Sequence, residues 1–413
     1  MKNGLCKALV PVVLLACHAL AADPLWRTLN HDARLAIDSK DYPKLRATLL
    51  QLQPLLPGNP RIAYNLAAAE ALLNNRDAAL ARLREWSAMG LIADLAGDTD
   101  FAFLRDSPDF QQLAARLAEA RKPVAGATLA LRLPAPDILP EDIAYDPKSR
   151  RFFVSSVRRG KIFTTGGLEF ARTGWGAMAL RADSHRRILW ATTGWLPQCE
   201  ACPAAESDKD KTALLAFDLD TGALKQRIES PLPGLLGDMT LGRRGDLYLS
   251  EGLHGALLHL KPGAAQLERL DTAGDFPSPQ TPALSADERT LYVPDYVRGI
   301  AAIHLDTRAV EWLQPAPGIA LSGIDGLYVS GPNFLAIQNG TTPQRLIRFS
   351  LDLRRQQVLE ANTPGLGEPT HGVLVDGEFY FLANSGWGEY DAKGARKPGP
   401  PVQSEVRKIK LPR

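Results

Sequence analysis

Between Glu141 and the C-terminus, hydrophobic and polar positions repeat as a unit. Each unit opens with a short apolar strand and a tight polar turn. A stronger strand rich in aromatic and β-branched residues follows, and then a third strand. The opening strands align as Glu141-Asp-Ile-Ala-Tyr, Gly176-Ala-Met-Ala-Leu, Gly237-Asp-Met-Thr-Leu, Gln280-Thr-Pro-Ala-Leu, Asp325-Gly-Leu-Tyr-Val and His371-Gly-Val-Leu-Val. Successive starts lie 35, 61, 43, 45 and 46 residues apart. Periods near this length, with several strands per unit, predict propeller blades, here six. After the sixth third strand, Val406-Arg-Lys-Ile-Lys-Leu, no outermost strand remains for that blade. Leu129-Ala-Leu-Arg-Leu133 is placed to supply it, which closes the ring and removes two exposed edges.

Ahead of the repeats, Asp23 to Lys122 shows helical rather than alternating periodicity, with Tyr64, Leu66, Ala67, Leu72, Ala79, Leu80 and Leu83 on helical spacing. Pro60 suits a first helical turn and Asn74-Asn75 a reversal. The stretch from Tyr64 to Leu83 resembles one tetratricopeptide repeat, Asp32 to Leu55 a degenerate partner, and Asp98 to Leu117 a terminal cap. Such a module either docks a protein partner or packs on the propeller as a spacer. Lys122-Pro-Val-Ala-Gly126 reads as the linker. The expected fold is thus multidomain α+β: a helical domain over 23–122 and a six-bladed, all-β propeller over 127–413.

Composition adds a compartment and removes some partners. Met1 to Ala22 reads as an export signal: Lys2 and Lys7, an apolar run from Ala8 to Ala16, then Ala19-Leu20-Ala21 as a cleavage site. Leu14-Leu-Ala-Cys17 offers lipid anchoring at Cys17 as the alternative to soluble periplasmic or secreted export. Without that segment the chain has 46 basic and 46 acidic residues, since Lys2 and Lys7 leave the 48 Lys and Arg. No basic excess points to nucleic acid, and no later run is long enough to span a membrane. Cys199 and Cys202 then remain, and in an oxidising compartment the pair reads as a short disulfide pinning a loop. A redox centre would need a thioredoxin-like βαβ context, and zinc would need two more ligands.

Topology places the chemistry. First and second strands run antiparallel, so the starts of the first and the ends of the second share a face. Glu141, Gln280, Asp325 and His371 therefore gather at one mouth of the channel. Two long loops, Thr193 to Thr212 and Asn384 to Ser404, rise around it. Crowded carboxylates repel unless a cation or a shared proton intervenes. Oxygen donors from Glu141, Gln280 and Asp325 suit a hard divalent ion such as Ca²⁺ or Mg²⁺. His371 could ligate, donate a hydrogen bond or act as base. Asp238 could be another ligand or a substrate contact, and Asn339, Asn384 and Trp387 are expected to line the mouth and contact a small-molecule substrate.

The segments Pro140-Glu-Asp-Ile-Ala-Tyr-Asp146, Leu284 to Val293 and Gly323-Ile-Asp-Gly-Leu327 resemble the SMP-30/gluconolactonase/LRE-like propellers. The resemblance covers about two-thirds of the chain. It implies a divalent cation held by Glu141, by Gln280 in place of an Asn, and by Asp325. It also implies that Asp325 activates water for attack on a lactone or ester carbonyl. The family's third-blade Asn falls at Gly237, which departs from a sugar-lactone site. A non-catalytic propeller that binds a ligand, with the helices as docking module, is the rival expectation.

Overall fold

The computed structural model describes residues 24–133, 135–200, 202, 206–270 and 275–411. The expected export signal and Cys17 lie outside them. Six four-stranded antiparallel sheets follow one another along the chain as the blades of a propeller. Five blades use four consecutive strands each. The sixth pairs Thr128–Arg132 with Glu405–Lys410, in the register Thr128 to Lys408 and Arg132 to Glu405, so the ring closes as expected. The inner strands are Pro140–Asp146, Gly176–Asp183, Leu236–Leu241, Ala283–Leu284, Ile324–Ser330 and Gly372–Val375. Buried apolar clusters sit between neighbouring blades, Phe153 with Leu189 and Phe217 for instance, and Phe334 with Phe349 and Ile300.

The helical region contains α1 (Leu25–Asp38), α2 (Tyr42–Leu52), α3 (Pro60–Leu72), α4 (Arg76–Ala88) and α5 (Pro108–Glu119). Local chemistry sets their ends. Asn59 accepts from the N–H groups of Arg61 and Ile62, with Pro60 in the first turn of α3. Asn74, at φ 60°, reverses the chain after it. Consecutive helices pack antiparallel around Leu49, Leu66, Ala67, Ala79, Leu83 and Phe101, all essentially inaccessible to solvent.

These helices lie firmly against blades four and five. Asn59 Nδ2 donates to Val297 O (3.1 Å), Leu321 N to Gly58 O (2.9 Å) and Ile92 N to Thr342 O (2.8 Å). Arg345 is fully buried at the junction and donates to Met89 O (2.7 Å), Gly90 O (3.3 Å) and Gln338 Oε1 (2.8 Å). Burial pushes its guanidinium down to about 10, the cost of a buried cation held by neutral acceptors. The linker is held too. Val124 exchanges both backbone hydrogen bonds with Ala361, and the Glu360 carboxylate accepts from the N–H groups of Gly126 and Ala127. Cys199 and Cys202 form the expected disulfide in the long loop of blade two. No helix among the described residues is long and apolar enough to cross a membrane.

Candidate active site at the channel mouth

Three acids reach the mouth through breaks in strand register. Pairing slips between Pro140 and Ile143, between Leu236 and Asp238, and between Ile324 and Gly326. A bulge leaves a residue unpaired, bends the strand and re-aims side chains. Glu141 and Asp325 sit within their breaks. Gly237 is the extra residue that brings Asp238 into the same ring.

His371, just ahead of the inner strand of blade six, is 1% exposed and sits among all three. Its Nδ1 donates to the Glu141 carbonyl at 2.8 Å, an oxygen that also accepts from Thr370 Oγ1 at 2.8 Å. Its Nε2 lies 2.6 Å from Asp238 Oδ1, an ion-pair distance, but off the line of the N–H, so that atom has no well-directed hydrogen bond. Asp325 Oδ1 is 3.9 Å from Nε2, and Glu141 Oε1 is 3.8 Å from Nδ1. Both ring nitrogens face acceptors, which favours the imidazolium. Burial opposes that charge, but the carboxylates of Asp238 and Asp325 outweigh it and hold the imidazole well above its ordinary value.

Each acid has its own support. Trp387 Nε1 donates to Glu141 Oε2 (2.6 Å), Asn339 Nδ2 to Asp325 Oδ2 (2.6 Å) and Thr281 Oγ1 to Asp238 Oδ1 (2.7 Å). Asn339 is steadied in turn by the Pro369 carbonyl (3.0 Å) and the Tyr296 hydroxyl (2.9 Å). Burial, reinforced by the neighbouring carboxylates, pushes Glu141 up to about 8 and Asp325 up to about 6. His371 and the donated hydrogen bonds pull both the other way. At neutral pH the pair therefore offers one carboxyl that tends to keep its proton and one that tends to lose it. Such a division suits general acid–base work.

The structure brings together Glu141, Asp238, Asp325, His371, Asn339 and Trp387. Gln280 stays outside the cluster. The inner strand of blade four begins only at Ala283, and the Gln280 amide donates to Ser278 O (3.2 Å) and Ser278 Oγ (3.0 Å). Asn384 lies beside Gly367 rather than among the acids. Among the described residues, no three His, Cys, Asp or Glu side chains are arranged about a common ion. The Gln280 Nε2 is committed to Ser278, and the His371 ring stands between the carboxylates. Sequence reasoning missed Thr281 and Thr370, each one residue from a flagged position. It also missed Asp142 and Arg181, which form an ion pair beneath the acids at 2.6 Å. The inward phase of Asp238 was the available signal for Thr281, because a buried carboxylate needs a donor.

No protein-family model and no curated protein matches the chain. Solved structures resemble it distantly. The PQQ-bound aldose sugar dehydrogenase of Streptomyces coelicolor matches at 12% identity over 70% of this chain and 99% of that one, with a TM-score of 0.46. A luciferin-regenerating enzyme matches at 12% identity over 70% and 96%, also at 0.46. A chain of a nidogen/laminin complex matches at 13% identity over 55% and 80%, at 0.43. At this level the similarity says nothing of activity.

Proposed function

We propose that the acidic mouth is the active site of an exported hydrolase acting on a small lactone or ester. The observation that carries this reading is the meeting of Glu141, Asp238 and Asp325 around one buried imidazole. The substrate class follows from the resemblance of the Glu141 and Asp325 motifs to gluconolactonase-type propellers, and export from the reading of Met1 to Ala22.

Asp325 is the base. Asn339 engages its Oδ2 and leaves Oδ1 to take a proton from water as the water oxygen attacks the carbonyl carbon. Glu141 is the acid. It gives its proton to the alkoxide oxygen as the acyl–oxygen bond breaks, yielding a carboxylic acid and an alcohol, or one hydroxy acid from a lactone. The proton gained by Asp325 then returns to Glu141 through solvent. His371 is too buried to meet substrate; it is a positioning residue whose charge favours the ionised form of Asp325.

A divalent cation is a second reading, and one observation favours it. Four buried acids, Glu141, Asp142, Asp238 and Asp325, share the channel with two cationic side chains, Arg181 and His371. An ion held by re-aimed Glu141, Asp325 and Gln280 side chains would offset that excess. The same assay tests both readings: a lactone and aryl-ester panel, with chelator or with added Ca²⁺, Mg²⁺, Mn²⁺ or Zn²⁺. The acid–base reading expects turnover in chelator and a loss of about 10²–10⁴-fold in Asp325→Asn. Turnover that appears only with added metal supports the second reading. No turnover of any panel member would remove both and leave a binding propeller.

A further inference from the structure

The channel has a second mouth, and the cavity there is of a different kind. It has a volume of about 430 Å³ and is walled by all six inner strands. Ile143, Leu284, Val373 and Leu374 give it apolar sides, and Arg181 lines it as a charged group. That volume lies within the range of small-molecule sites, about 300–1,000 Å³.

Arg181 is committed on one side only. Its Nη1 donates to Asp142 Oδ2 (2.6 Å) and to Leu180 O (2.6 Å), and the guanidinium makes no other hydrogen bond among the described residues. The 17% of the side chain left accessible opens on this cavity. Asp142, fully buried, also accepts from Leu180 N (2.9 Å) and Ile143 N (2.7 Å), so it does not need the remaining nitrogens. Glu288 at the rim is tied to Arg243 through its backbone N–H (3.0 Å) and Nε (3.1 Å). Asp238 and Asp325 are turned toward His371 on the far side of the Asp142–Arg181 pair. What remains facing the cavity is a permanently charged planar fork with free N–H groups above apolar walls.

We infer that this opposite mouth binds a small carboxylate with a compact apolar or aromatic body. The carboxylate takes the free edge of Arg181, and the body packs on Ile143, Leu284, Val373 and Leu374. The site is separate from the acidic mouth and does not depend on the hydrolase reading.

Calorimetric titration of the full chain with benzoate and hexanoate, each against its neutral amide, tests this. Saturable binding of the acids, at least about tenfold tighter than the amides, is expected. Arg181→Lys keeps a cation opposite Asp142 but loses the fork, and should weaken benzoate about tenfold or more. Leu374→Trp, at a partly exposed rim position away from the ion pair, should abolish binding by filling the cavity. Asp325→Asn should leave it unchanged. Equal affinity for acid and amide, unaltered binding in Leu374→Trp, loss of binding in Asp325→Asn, or no binding up to about 10 mM would each overturn the assignment.

Discussion

Asp325→Asn should make the protein more stable as well as inactive, and only where the wild-type side chain is ionised. Burial raises the Asp325 carboxyl from 3.8 to about 6 in the folded chain. Ionising it in place therefore costs free energy that the unfolded chain does not pay. The sign follows from linkage. Below the unfolded value both states hold the proton, and the cost is absent. It grows between the two values and is constant above the folded one. A rise of about two pKa units corresponds to about 3 kcal/mol at 1.36 kcal/mol per unit. Asn keeps the shape and still accepts from Asn339, but His371 loses one of its supporting charges, so about 1–3 kcal/mol should survive. The assay is thermal unfolding of both proteins at about pH 4 and about pH 8. The variant should melt higher than wild type at the alkaline end, with the gap closing at the acid end. A gap of the same size at both ends, or a less stable variant at about pH 8, would refute the reasoning.

Three further outcomes follow from the same contacts. Hydrolysis by the wild type should have a bell-shaped pH profile, rising through about 6 as Asp325 ionises and falling through about 8 as Glu141 loses its proton; a flat profile across that range counts against these roles. Trp387→Phe removes the hydrogen bond that lowers Glu141, so the falling limb should move alkaline by about one unit; an unmoved limb would show that the indole does not hold the acid. Arg345→Ala leaves the Met89 carbonyl and the Gln338 amide oxygen without their donor and opens the junction, costing about 3–5 kcal/mol in thermal unfolding; a variant as stable as wild type would show that the guanidinium does not hold the helices to blade five.

The blades were legible because each alternates apolar and polar positions and ends in turn chemistry, and the missing outer strand of the sixth pointed to Leu129–Leu133. Helix ends at Pro60 and Asn74 were equally plain. The mouth was legible only in part. Aligning first strands gave Gln280 the same phase as Glu141 and Asp325, but a bulge adds a residue without disturbing the hydrophobic pattern. The register breaks at Glu141, Gly237 and Asp325 are therefore invisible to alignment. The short inner strand of blade four, starting at Ala283, leaves Gln280 in the approach and makes Thr281 the inward residue. Arg181 and Arg345 read as ordinary polar positions on strands. Their burial is set by partners far along the chain, Asp142 for one and the end of α4 for the other.

The acidic mouth depends on His371 being a buried cation held by Asp238 and Asp325 beside the Glu141 acid. The most direct test is the ¹⁵N spectrum of its imidazole across pH. The contacts described here require an imidazolium that persists well above the ordinary histidine range, with both nitrogens protonated. A neutral ring that titrates near its ordinary value of about 6.5 would contradict the arrangement of Asp238, Asp325 and Glu141 around it.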